Sequence, residues 1–151
     1  MAGPDLVCLG GLRRGVALRL HAADGGRPAL MAAYHPDPVL TDALLGAMER
    51  TTRGRHLGLW RPVIAEQRAL RLKVDPDAPH PGCSATTLAF ARRWSVRGLL
   101  GAPLVARGRV LGGIALVRCG DERPFSATEE VLLVQLADRA ALALDLSLIH
   151  I

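Results

Sequence analysis

Two apolar runs, 99–105 and 110–117, stand on either side of Ala106-Arg107-Gly108-Arg109. A short polar linker holding a glycine between such runs is a hairpin signal, so two strands should lie antiparallel to each other. Neither run alternates apolar with polar residues. Both faces of both strands are therefore expected to be covered, which places the pair inside a sheet with layers on each side. Proline has no N–H for a ladder, so the strand is expected to leave that side of Pro103 unpaired, at an edge or a bulge.

The rest of the chain supplies the layers. Val16, Leu18 and Leu20 alternate with Ala17, Arg19 and His21, as in a strand with one buried face. Asp24-Gly25-Gly26 suits a tight turn, and 29–34 should return as an antiparallel partner. Asp37-Pro38 opens a helix carrying Val39, Leu40, Ala43, Leu44, Ala47 and Met48 at helical spacing. Residues 51–58 read as a connection, 58–66 as a short helix with Pro62 in its first turns, and 69–74 as a strand. Pro76, Pro79, Pro81 and Gly82 make 75–82 a surface loop. Ser84 caps a helix reaching Trp94, and Ser126-Ala127-Thr128-Glu129 is a capping box for a final helix running to Leu146. This order predicts an α+β sandwich: one mainly antiparallel sheet of about five or six strands with helices on its faces. No internal repeat and no second domain is seen.

On the final helix Gln135, Asp138 and Asp145 share one side, and Val131, Leu142 and Leu146 fall near it. That apolar surface is wider than one sheet covers. It predicts a second helix or a partner chain, and a homodimer is the expectation.

Composition excludes several classes. With 151 residues, 50% hydrophobic and 22% charged, the chain is neither disordered nor too short for a core. Two Trp, one Tyr and two Phe leave that core to aliphatic side chains. No uncharged apolar run reaches the roughly 18–20 residues of a membrane span, and the start lacks signal-peptide features, so a cytoplasmic location is expected. The net charge of +5 is almost all arginine, scattered among Asp and Glu, and no nucleic-acid face is expected. Three cysteines, Cys8, Cys83 and Cys119, are too widely spaced for a metal pair or a disulfide framework. The five histidines show no metal-ligand spacing, and His80 near Cys83 reads as part of a loop.

Several stretches resemble the GAF domain, a bacterial sensory and regulatory module related to PAS domains. Gly58-Leu59-Trp60-Arg61-Pro62-Val63-Ile64-Ala65 with Arg68-Ala69-Leu70-Arg71-Leu72 is similar to its helix, turn and third strand, although Gln67 stands where a turn glycine is common. Val96-Arg97-Gly98-Leu99-Leu100-Gly101-Ala102-Pro103-Leu104 and Arg107-Gly108-Arg109-Val110-Leu111-Gly112-Gly113-Ile114-Ala115-Leu116 are similar to its strand and hairpin. Pro124-Phe125-Ser126, Glu129-Glu130 and 136–143 are similar to its terminal helix. Gly112 and Gly113 should let another element approach the strand closely, and Phe125 should staple onto the first turn of the last helix.

The resemblance covers 15–146, with 1–14 as a lead-in shorter than the helix with which such domains usually begin. Residues 146–151 resemble translated adapter sequence, so 147–151 are expected to be a non-native tail. The chain is expected to belong to a longer signalling protein whose kinase, phosphatase or DNA-binding output lies elsewhere.

The resemblance implies a ligand pocket between the sheet and the elements covering one face. Here that pocket would draw on Trp60, Ile64, Leu72, His80, Cys83, Thr87, Phe90 and Leu100. A plain core reading competes for Ile64, Leu72 and Leu100, and weighs evenly for Trp60. With no asparagine, the chain lacks the signature associated with cyclic-nucleotide-binding members. No cysteine is closely followed by histidine, so no covalent bilin is expected. The family's free methionine sulfoxide reductase uses three cysteines, but Cys8 and Cys119 stand away from the pocket segments. Only Cys83 adjoins a helix start that would lower a thiol pKa. A non-catalytic module is therefore expected, with the thiol enzyme and a ligand-free dimerisation spacer as alternatives. The cofactor, if any, is not named by these residues.

Overall fold

A computed structural model describes residues 14–21, 28–53, 60–75, 77–78, 83–120 and 123–149. The strands are β1 (Arg14–His21), β2 (Pro28–Tyr34), β3 (Leu70–Lys73), β4 (Val96–Ala106) and β5 (Arg109–Cys119). The helices are α1 (Pro38–Arg53), α2 (Arg61–Ile64), α3 (Ala85–Arg93) and α4 (Ala127–Ile149). The strands form one sheet in the order β2-β1-β5-β4-β3, with every neighbouring pair antiparallel. The turn expected at 24–26 lies outside the described residues.

The β4–β5 hairpin closes through Arg107 and Gly108, whose φ angles of 54° and 73° fit the two-residue turn that matches strand twist. The pairing of β3 with β4 ends at Leu70–Gly101, so Pro103 lies where β4 pairs with β5 but no longer with β3. Both expectations for the hairpin thus have a structural counterpart.

Alternation along β4 and β5 divides the core in two. Leu100, Ala102 and Leu104 pack against Leu133, Ala137 and Ala141 of α4. On the other face Leu40, Leu44 and Met48 of α1 and Ala91 of α3 pack against Val96, Val117 and Cys119. A register shift between Val96 and Gly98 lets Val96 and Leu99 serve the same face. Each fully buried leucine contributes about 1.5–3 kcal/mol.

The helix starts follow local hydrogen-bond demand. Val39 N–H donates to Asp37 Oδ1 at 2.9 Å, and Thr87 N–H donates to Ser84 Oγ at 3.1 Å. At α4, Glu129 N–H donates to Ser126 Oγ at 3.1 Å and Ser126 N–H donates to Glu129 Oε1 at 2.9 Å, closing the capping box.

Beneath that box lies Arg118, 1% exposed. Its guanidinium sits 4.1 Å from the Phe125 ring centroid and donates to the Arg123 and Pro124 carbonyls at 3.3 Å each. Its Nη2 meets Glu129 Oε2 at 2.6 Å. Phe125 is buried with the α4-face core and lies close to Gly98, whereas Val131, the fifth residue of α4, is exposed. Phe125 therefore anchors the helix start to the sheet as well as preceding the cap. Burial alone raises the Glu129 carboxyl, but hydrogen bonds from Ser126 and Arg118 outweigh it and bring its pKa from 4.5 to about 2. Because the folded value is depressed, the stabilisation is complete above 4.5 and is lost as pH falls toward 2. Denaturant titrations across that window should show stability falling with acid, and Glu129→Gln should flatten this component of the slope.

The other end of α4 is also held. Asp145, 4% exposed, pairs with Arg107 Nε at 2.9 Å and Arg109 Nη2 at 3.7 Å. Asp145 is expected on one side of the helix with Gln135 and Asp138, and along that side it is buried whereas Asp138 is exposed. Seven residues, or nearly two turns, beyond Asp138 it keeps about the same side, and there the hairpin arginines cover and neutralise it.

Three helix boundaries differ most in meaning from expectation, while β4 and β5 each extend a few residues beyond their apolar runs. α1 continues through Arg53, because a Thr pair lowers helix propensity by only tenths of a kcal/mol and is no stop signal. α4 runs on to Ile149 through residues expected to be a tail, since neither Gly nor Pro intervenes. α2 is confined to Arg61–Ile64, and the chain then reverses with Gln67 at φ 53°. A non-glycine residue is strained there, so Gln67→Gly should add about 0.5–1 kcal/mol in urea denaturation, the strain relieved less the added chain entropy.

Candidate functional site

A cavity of about 120 Å³ lies between the sheet and the helices opposite α4. Leu44, Ala47 and Met48 of α1 and Thr87, Leu88, Phe90 and Ala91 of α3 line one side. The strands contribute Leu70, Leu72, Lys73, Val96, Leu99, Leu100, Gly101, Ala115 and Val117, and Trp60, Val63, Val74, Asp75 and Cys83 also line it.

Of the residues predicted for a pocket, Trp60, Leu72, Cys83, Thr87, Phe90 and Leu100 line this cavity. Leu100 is also fully buried in the core on the α4 face. His80 lies outside the described residues. Ile64 is half-buried and does not line the cavity, whereas its neighbour Val63 does and is buried. Successive helical residues point about 100° apart, so the short α2 can aim only one of the two at the sheet.

Two strand glycines create the space α2 occupies. A Cβ on Gly113 would stand 2.7 Å from Trp60 Cζ3 and 2.8 Å from Val63 Cγ1, and one on Gly101 would stand 3.0 Å from Val63 Cγ2. The element expected to approach Gly113 is thus α2 with Trp60. Trp60 serves both competing readings, packing against the core and walling the cavity. The contribution of α1 was not singled out in the pocket prediction. Its signal was the Leu40, Leu44, Met48 stripe, already visible as a buried helix face.

The polar chemistry of the site is sparse. Thr87 Oγ1 lies 2.9 Å from Ser84 Oγ, and the Cys83 thiol donates to the Ser84 carbonyl at 3.6 Å. Burial pushes the Cys83 thiol up and takes Cys119 to about 11. Burial thus moves the Cys83 thiol in the direction opposite to the lowering anticipated from the helix start. Both thiols are held away from the thiolate that sulfur redox chemistry requires. Cys8 lies outside the described residues. Among the described residues no three His, Cys, Asp or Glu side chains gather to hold a metal, and no helix is long and apolar enough to cross a membrane.

The family model described as GAF domain matches residues 9–144. No curated protein matches the chain. Among solved structures it is similar to a GAF domain/HD domain protein from Geobacter sulfurreducens, at 20% identity and a TM-score of 0.61, covering 94% of this chain and 86% of that one. It is also similar to the second GAF domain of DevS from Mycobacterium smegmatis, at 17% identity and a TM-score of 0.55, covering 95% and 88%. A third is the GAF domain of a phosphoenolpyruvate-protein phosphotransferase from Coxiella burnetii, at 20% identity and a TM-score of 0.53, covering 84% and 68%. At these identities the structures share the fold.

Proposed function

The chain belongs to the GAF domain family, and from that premise we propose that it is a non-catalytic regulatory module of a bacterial signal-transduction protein. It takes a small molecule into the cavity and passes the change through the sheet to α4. The observation that carries this reading is the placement of the cavity. Its walls include β4 and β5, and the opposite face of the same strands holds α4. The neighbours in a GAF domain/HD domain protein and in a phosphotransferase support a module that works beside an output domain. For this chain that output is a kinase, phosphatase or DNA-binding domain.

A relay needs a ligand with different affinities for two arrangements of the protein. Filling the cavity bears on Trp60 and Val63, which lie against Gly113 and Gly101. Movement of β5 is felt at both ends of α4, through Arg118 with Glu129 and through Arg109 with Asp145. Native mass spectrometry of the protein as purified, compared with its denatured mass, tests ligand capture. A retained small molecule that Ala115→Leu loses supports the module, and one retained equally by folded Ala115→Leu contradicts it.

The same reading includes a homodimer through α4. Val131, Leu142 and Leu146 are 54%, 55% and 55% exposed, and Leu132 and Leu136 extend the surface. Apolar area of this kind is better covered by a second copy than by water. Leu142→Glu combined with Leu146→Glu should yield a folded monomer by sedimentation velocity. An unchanged sedimentation profile defeats the dimer.

A further inference from the structure

We infer that the cavity selects an uncharged, mainly hydrocarbon ligand of about six to eight heavy atoms, with room for one hydrogen-bonding group at its Thr87 end. This rests on the ligand-binding reading above and names the chemistry that reading leaves open.

Size sets the first limit. The cavity of about 120 Å³ is comparable to an engineered apolar cavity of about 150 Å³ that holds benzene. Wall chemistry sets the second. Met48, Phe90, Leu72 and Val117 present thioether, aromatic and aliphatic surface. Such surface gains contact energy from carbon and returns nothing to a charge.

A carboxylate, phosphate or ammonium entering here would need a buried partner of opposite sign, because stripping an ion of water without one costs several kcal/mol. Among the described residues lining the cavity, only Lys73 and Asp75 are charged. Both are exposed, both remain in water, and their signs oppose each other. Neither supplies a fixed charge inside. Thr87 Oγ1 shares one hydrogen bond with Ser84 Oγ at 2.9 Å and retains capacity for another. Among the described lining side chains that leaves the Thr87 hydroxyl and the Trp60 indole N–H, enough for one hydroxyl or carbonyl and too little for a sugar or a nucleotide.

The test is a titration of the intact, isotope-labelled chain, followed by amide NMR, with toluene, benzyl alcohol, benzoate and benzylammonium. The two neutral probes should shift the amides of Leu99, Gly101 and Val117 saturably, with affinity about tenfold or more above either ion. Nuclear Overhauser contacts between probe and the Met48 methyl in the wild type locate the site without any substitution. Ions that shift the same amides as strongly as the neutral probes would overturn the ligand class while leaving the cavity as the site. Shifts confined to other parts of the fold, or contacts that never reach Met48, would overturn the cavity reading itself. Neutral probes that produce no saturable shift would overturn the inference.

Discussion

Arg118→Ala should lower stability by about 2–5 kcal/mol, the usual cost of emptying the site of a large buried side chain. The side chain is 1% exposed and joins four groups at once: the Phe125 ring, the Arg123 and Pro124 carbonyls and the Glu129 carboxylate. Alanine leaves a void under Phe125 and strands two carbonyls and a carboxylate that the guanidinium had satisfied. Arg118→Lys should recover little, because one ammonium cannot reproduce a planar fork that reaches carbonyls and carboxylate together. Arg118→Met with Glu129→Gln should recover more than Lys, since an apolar side chain fills the space and no carboxylate is left facing it. Urea denaturation of the four proteins orders them. A loss below about 1 kcal/mol for Arg118→Ala would mean that the start of α4 is not held by this residue.

Gly113→Ala should cost about 1–3 kcal/mol, as overpacking usually does. In an unobstructed strand the same change favours folding by roughly 0.5–1 kcal/mol, so the sign is diagnostic. The obstruction is specific: Trp60 Cζ3 at 2.7 Å and Val63 Cγ1 at 2.8 Å from the added methyl. In a Trp60→Ala background the substitution should lose much of its cost, and a double-mutant cycle should report a coupling of 0.5–3 kcal/mol in size. Gly101→Ala, whose one tight contact is Val63 Cγ2 at 3.0 Å, should cost less than Gly113→Ala. A neutral or stabilising Gly113→Ala would show that α2 does not rest on β5 as described.

What the sequence disclosed followed from how local each signal is. The β4–β5 hairpin was legible because Arg107-Gly108 and the flanking apolar runs fix turn, pairing and burial within one short segment. The start of α4 was legible because a capping box is a contact between residues three apart. Arg118 was not, because nothing in an Arg-rich chain distinguishes a buried arginine from an exposed one. Its partners Phe125 and Glu129 become visible only when β5 and α4 are brought together. The burial of Asp145 was not legible for a similar reason, since its pairing depends on where the hairpin tip falls along α4.

The cavity was half legible. Trp60, Thr87 and Phe90 were chosen by position in elements that the resemblance places over the sheet, and they do line it. The choice of Ile64 over Val63 failed because the rotation of one helical turn is set by the glycines beneath it. Gly113 itself carried the better signal. A glycine in a central strand asks what comes close, and Trp60 with Val63 is the answer.

The relay from cavity to α4 is tested most directly by amide hydrogen exchange in the wild type and in Ala115→Leu, whose added side chain occupies the cavity as a ligand would. Altered protection at both ends of α4, around Glu129 and around Asp145, with β2 unchanged, is the predicted result. Altered protection in α1 and α3 with none anywhere in α4 would contradict the account.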